Sequence, residues 1–296
     1  MNEENFTAAL AALFSQRQDV LTGPGDDCAV LDLGLPVLLL AAVDQVISGV
    51  HYLPDCPPAL SGGKLLRRNV SDIAAMGGVP THALLSLAVN PLEESWLLQF
   101  HKAIAEECEK YGMSVIGGDI AKLFTQGEVL SLSILGTVER DKLCLRSNAC
   151  EGDWLYATGC FGNSFYSGHH LTFHPRLAEG RFLAGRFTNA MQDVSDGLLK
   201  DACRFAASSG LALHLDPDKI PLRRGVSVAH GLTDGEDYEL LFAVSPEKAD
   251  ELERSWNFPE TGLSRIGQFQ KGTPGHVTGL EQVDLSKFNT GYDHFK

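Results

Sequence analysis

Apolar positions along this chain alternate between a helical and a strand-like period. Residues 3–15 put Phe6, Leu10, Leu13 and Phe14 on one helical face. Thr22-Gly23-Pro24-Gly25 breaks that pattern. Cys28 to Leu33 and Val37 to Val43 read as strands of a hairpin turning at Gly34-Leu35-Pro36. After a loop from Gln45 to Pro58, residues 59–76 predict a helix interrupted near Gly62-Gly63. Thr81 to Val89 predicts a strand, Glu93 to Tyr111 a long helix, and Ser114 to Ile116 a short strand ending at Gly117-Gly118-Asp119. Val129 to Val138 predicts a long strand, and the polar residues 140–153 a domain boundary. Trp154 to Thr158 opens a second series, with strands near 189–194, 211–215, 238–244 and 263–269. Helices are predicted near 162–170, 176–186, 197–208 and 246–255. This alternation predicts an α/β fold, or α+β layers, in two domains, residues 1–139 and 150–296.

Composition narrows the partners. The 296 residues are 44% hydrophobic and 21% charged, enough for a sizeable core. A net charge of -14 argues against a nucleic-acid binder that works through bulk positive potential. Anionic small substrates remain open to such a chain if divalent cations stand between carboxylate and phosphate. The seven cysteines form no C-x-x-C pair, which fits neither a disulfide framework nor a zinc site and suits a reducing cytoplasm. The longest apolar run, Val37 to Val43, is too short to span a bilayer, and Met1-Asn2-Glu3-Glu4 lacks the basic start of a signal peptide.

The candidate chemistry is carboxylate chemistry. Asn69-Val70-Ser71-Asp72-Ile73-Ala74-Ala75-Met76 carries an aspartate in an apolar run, and Asp193-Val194-Ser195-Asp196-Gly197-Leu198 repeats the motif. Asp26, Asp44 and Asp119 sit beside glycine or at the end of an apolar element. Singly, each reads as an ordinary cap or turn residue. Together they point to hard cations such as Mg²⁺ held by oxygen ligands. A Walker A loop, a G-x-G-x-x-G turn after a strand and a G-x-S-x-G elbow are all missing from the sequence. His51 and Arg146 read, by themselves, as ordinary loop residues. Thr233-Asp234-Gly235-Glu236-Asp237-Tyr238-Glu239 is either a solvated turn or a carboxylate site for a cationic substrate.

These stretches also resemble a known family. Gly25-Asp26-Asp27-Cys28-Ala29-Val30, Gly49-Val50-His51-Tyr52, the Asp72 and Asp193 motifs, Gly117-Gly118-Asp119, Leu145-Arg146-Ser147, Gly235-Glu236-Asp237-Tyr238-Glu239-Leu240 and Gly291-Tyr292-Asp293-His294-Phe295 occur in the order seen in thiamine-monophosphate kinases. Those kinases belong to the aminoimidazole-ribonucleotide-synthase-like superfamily. The resemblance implies that fold, with an N-terminal ATP and metal domain on a mixed sheet and a C-terminal α/β sandwich. It implies phosphorylation of thiamine monophosphate by ATP with several Mg²⁺ ions, and a homodimer joined through the N-terminal domains. It implies metal ligands at Asp26, Asp44, Asp72, Asp119, Asp193 and Asp196. It implies ATP contacts at Gly118, Asp119, Arg146, Ser195 and His101, and a thiamine end at His51, Glu236 and a tail aromatic, Phe288 or Tyr292. It names no catalytic acid or base, since the acceptor is already an ionised phosphate and transfer rests on positioning and charge neutralisation. The family usually carries hydroxyl residues before the aspartate of the second strand, where this chain has Ala42-Val43-Asp44-Gln45. Two other readings stay open: a nucleotide- or thiamine-phosphate-binding protein without catalysis, and another ATP-dependent member of the superfamily.

Overall fold

The computed structural model describes residues 9–289, 291 and 292. The start of the expected first helix, with Phe6, and tail residues Asp293, His294 and Phe295 lie outside the described residues. Two six-stranded mixed sheets carry the fold. The first contains β1 (Val20–Thr22), β2 (Ala29–Leu31), β3 (Val37–Ile47), β4 (Val79–Asn90), β5 (Ser114–Lys122) and β6 (Gly127–Glu139), ordered β1-β2-β3-β6-β4-β5. Only β4 and β5 in this sheet run parallel. Strand alternation puts Leu38, Leu40 and Val46 of β3 with Leu130, Leu132 and Ile134 of β6 in one core. Helices α1 (Pro58–Ala75) and α2 (Glu94–Tyr111) pack on that face through residues such as Leu65, Val70, Phe100 and Ile104.

The second sheet contains β7 (Trp154–Thr158), β8 (Met191–Asp193), β9 (Ala212–Leu215), β10 (Leu240–Val244), β11 (Leu263–Gln270) and β12 (Val277–Thr278), ordered β12-β9-β11-β7-β10-β8. Alternate β10 residues feed opposite layers. Leu241 and Ala243 pack with α6 (Leu198–Ser208), whereas Leu240, Phe242 and Val244 pack with α8 (Pro246–Ser255). Four shorter helices complete this half: α3 (Ser164–Ser167), α4 (His169–Thr172), α5 (Leu177–Leu183) and α7 (Val228–Thr233).

Helix α1 stands between the halves and is buried on nearly every side, polar Lys64, Asn69 and Ser71 included. It meets α5 so closely that a Cβ at Gly180 would lie 2.5 Å from Ala74 O. The two-domain α/β architecture agrees with the sequence expectation; several element boundaries do not. Gly62-Gly63 does not interrupt α1. Gly62 instead lets α1 approach α2, since a Cβ there would sit 3.0 Å from Phe100 O. Gly117-Gly118-Asp119 lies inside β5 and does not end it. Gly118 is needed because a Cβ would come within 2.2 Å of Leu85 O on β4. β3 continues past Asp44 to Ile47.

Candidate functional site

Three segments distant in sequence bring carboxylates together. Asp72 lies in the last turns of α1, Asp193 ends β8, and Asp27 precedes β2. One carboxylate oxygen from each lies within 4.8 Å of the others; Asp193 is buried, and the Asp27 side chain, paired with Arg146, is 1% exposed. Ser71 Oγ donates to Asp193 Oδ2 at 2.7 Å and so ties α1 to the second sheet. Burial and the neighbouring Asp44, Asp193 and Asp27 carboxylates push the Asp72 carboxyl well above its usual range. Asp193 is pushed the same way by burial and by Asp27. An all-oxygen donor set that is strained when ionised and empty fits a hard divalent cation.

The other predicted ligands divide. Asp26 borders the same cavity, but its oxygens accept from Asp27 N at 3.0 Å and Arg146 N at 3.1 Å. Burial and Asp27 raise its pKa to about 7. Asp44 also borders the cavity and accepts from Arg68 Nε at 2.6 Å. Asp196 is paired with Lys200 at 2.8 Å and Arg204 at 3.1 Å. Burial disfavours its charge, yet Arg204 and Lys200 hold its pKa below the usual value. Asp119 does not join the cluster. It lies on the exposed β5, in register with Ser86, Ser131 and Gln45, so three strand spacings, about 14 Å, separate it from β3. There it lines a cavity with His101 and Gly118. Strand alternation leaves Ala42 on the face of Asp44 and Val43, 67% exposed, on the other, although both border the carboxylate cavity.

Arg146 is engaged with acids: its guanidinium meets Asp27, and its Nε lies 3.8 Å from Asp26. Ser195 lies at a turn organised by Asp201, a residue that sequence reasoning missed. One Asp201 oxygen accepts from the backbone N–H groups of Ser195, Asp196 and Gly197 at 3.1, 2.9 and 3.2 Å. Burial raises the Asp201 pKa to about 6.

A second cavity, of about 250 Å³, adjoins the carboxylate cavity and is lined by His51, Phe165, Tyr166, Glu236, Tyr238 and Tyr292 among others. Arg68, Ser195, Asp196 and Tyr238 border both. Glu236 and Tyr238 have left-handed backbones, φ 56° and 52°, conformations disfavoured outside glycine. Lys64 Nζ donates to Glu236 Oε1 at 2.5 Å and to His51 O at 2.5 Å. It lies 2.8 Å from His170 Nδ1. Burial and Lys64 push His170 down to about 3, so its ring is neutral and Nδ1 accepts. His51 Nδ1 accepts from Ile47 N at 3.0 Å. Of the two tail aromatics, Tyr292 lines the cavity, whereas Phe288 sits edge-on to His230 at 5.0 Å.

Sequence reasoning therefore missed Asp27 as the third acid of the trio, and Lys64 and Arg68 altogether. The signal was available for these two cations: Lys64, Arg68 and Asp72 recur every four residues and share one face of α1.

Comparison with known proteins adds an independent line. Residues 25–138 match the AIR synthase related protein N-terminal domain, and residues 152–279 its C-terminal domain. The chain is 32% identical to a thiamine-monophosphate kinase of Salmonella typhimurium, over 95% of this chain and 94% of that protein. It is 33% identical to one of Rhodopirellula baltica, over 89% of each. The solved structure of AaThiL complexed with AMPPCP and TMP superposes with a TM-score of 0.84 at 28% identity, covering 99% of this chain and 97% of that one.

Proposed function

Because the chain belongs to the AIR synthase related family, and within it to the thiamine-monophosphate kinases, we propose that its two adjoining cavities hold the two ends of one phosphoryl transfer. The enzyme is a kinase that phosphorylates thiamine monophosphate with ATP, giving thiamine diphosphate. The observation that carries the site assignment is the Asp27, Asp72 and Asp193 trio opening beside a carboxylate- and aromatic-lined pocket.

In this reading Asp27, Asp72 and Asp193 hold Mg²⁺, with Asp26, Asp44 and Asp196 at the border of the same cavity. Mg²⁺ bound there supplies the charge neutralisation that lets two anionic substrates meet. Glu236 faces the fixed positive charge of the thiazolium, and Phe165, Tyr166 and Tyr292 offer it aromatic surface. His51 borders the same end. Ser195 and Arg146 stand at the transferring phosphates. Transfer is direct and in line, without a phosphoenzyme, because the acceptor phosphate needs no proton removed before it attacks.

Gly118, Asp119 and His101 are assigned to the nucleotide together with a homodimer of the N-terminal domains. The support is β5: a sheet edge whose nine residues are all exposed, Val115, Ile116 and Ile120 among them. The same reading gives residues 1–139 to ATP and metal, and residues 150–296 to the second domain. Among the described residues no helix is long and apolar enough to cross a membrane. A cytoplasmic location belongs to the proposal and is consistent with seven free cysteines.

The test is ADP release measured with and without thiamine monophosphate at saturating Mg²⁺. Release that requires the monophosphate supports the assignment. ATP binding without ADP release would favour a binding protein that has lost catalysis.

A further inference from the structure

We infer that Arg68 is a built-in cation that binds the acceptor phosphate of thiamine monophosphate at the seam of the two cavities. This rests on the kinase reading above and deepens it. Arg68 lies one helical turn before Asp72 on α1 and borders both cavities. Its side chain is 13% exposed. Two anchors fix the guanidinium: Nε donates to Asp44 Oδ2 at 2.6 Å, and Nη1 donates to Gln45 O at 2.9 Å. Among the described residues, Nη2 has no hydrogen-bond partner. A planar cation held on two sides, with a donor to spare beside a cavity, is pre-organised to receive a phosphate oxygen.

The position suits the acceptor more than the nucleotide. A thiazolium beside Glu236 leaves its phosphate to extend toward the boundary that Arg68, Ser195, Asp196 and Tyr238 share. Asp196 on that boundary repels phosphate, and Arg68 supplies the opposing charge. Asp44, committed to Arg68, then serves to orient the guanidinium.

The experiment is calorimetric binding of thiamine and of thiamine monophosphate, without nucleotide, once in EDTA and once in Mg²⁺. The two ligands differ only in the phosphate. Arg68→Gln is expected to weaken monophosphate binding roughly 10- to 100-fold in both conditions, the range carried by a charge-assisted hydrogen bond. Thiamine binding should change less than about threefold, because the thiazolium contacts stay in place. Arg68→Lys keeps a charge beside Asp44 but loses the fork, and is expected to fall between the two. If Arg68→Gln does not fold, judged by melting, Arg68→Lys decides alone by the same comparison. Equal losses for both ligands, or an unchanged monophosphate affinity, would overturn the role of Arg68 and leave the kinase reading standing. If the unaltered protein binds neither ligand, the substrate assignment falls, and this inference with it.

Discussion

Lys64 Nζ and Glu236 Oε1 lie 2.5 Å apart, joining a lysine side chain that is wholly buried in α1 to a turn 172 residues further along the chain. Burial lowers the Lys64 pKa to about 8, against the opposing pull of Glu236. The pair holds one Glu236 oxygen toward α1. The carboxylate as a whole is 20% exposed, so it still faces the second cavity. Glu236→Gln is expected to raise KM for thiamine monophosphate about tenfold, the scale of one partly screened charge contact, with KM for ATP little changed. Steady-state kinetics with each substrate varied in turn checks this. Equal changes in both would make Glu236 a support of the turn and not a contact of the substrate.

Asp72→Asn keeps the shape of the side chain and removes a charge from the trio. Turnover should fall by on the order of 100-fold or more, since metal positioning and charge stabilisation are worth several kcal/mol. In EDTA the same variant should melt no lower than the unaltered protein, because one source of repulsion among Asp27, Asp44 and Asp193 has gone. A variant with near-normal turnover would take Asp72 out of the metal site.

The raised carboxyls set a pH dependence. Asp26 titrates at about 7 in the fold against an ordinary 3.8, and Asp72 and Asp193 are shifted in the same direction. A carboxyl raised in the native state binds protons more tightly there than in the unfolded chain. Its stabilising effect is present below about pH 4 and is lost as pH rises through 7. Metal-free protein is therefore expected to lose melting temperature between pH 5 and 8. Added Mg²⁺ competes with those protons, so the rise in melting temperature it causes should grow over the same interval. Differential scanning fluorimetry with EDTA and with Mg²⁺ across that range measures both. A Mg²⁺ effect that is flat with pH would contradict the cluster as the metal site.

Ala42 and Val43 separate two accounts of the missing hydroxyls. Ala42 shares the face of Asp44, and Val43 does not. Ala42→Ser is expected to lower the half-saturating Mg²⁺ concentration, roughly two- to fivefold, by adding an oxygen near the cavity. Val43→Thr, at the rim of the same cavity but on the opposite strand face, should change it less. Activity measured against Mg²⁺ concentration in the two variants distinguishes them. The opposite order would mean that the strand presents its other face to the metal.

Much of this site was legible in the sequence, because each motif couples a carboxylate to an apolar element whose direction is fixed by periodicity. Asp72 and Asp193 follow from that logic, and so does Glu236 at a charged turn leading into β10. Asp26 and Asp27 could not be told apart, because adjacent acids in a glycine turn can exchange roles with a small backbone rotation. Gly117-Gly118-Asp119 misled only about where the strand ends. The run lies inside β5, and Gly118 is required there by the close approach of β4. Lys64 and Arg68 escaped notice because basic residues on a helix usually mark its solvent face, whereas α1 has almost none.

The Asp201 carboxylate has a consequence for inhibitors. Three N–H groups leading into α6 make the kind of positive nest that captures phosphate in many nucleotide enzymes. Here a side chain of the protein already occupies it. Phosphate mimics must then be gripped by guanidinium groups and by metal, not by the main chain. A bisphosphonate or vanadate should bind less tightly when Mg²⁺ is chelated, and a neutral thiamine analogue should not. Compounds aimed at the aromatic pocket would thus escape the metal dependence that weighs on phosphate mimics.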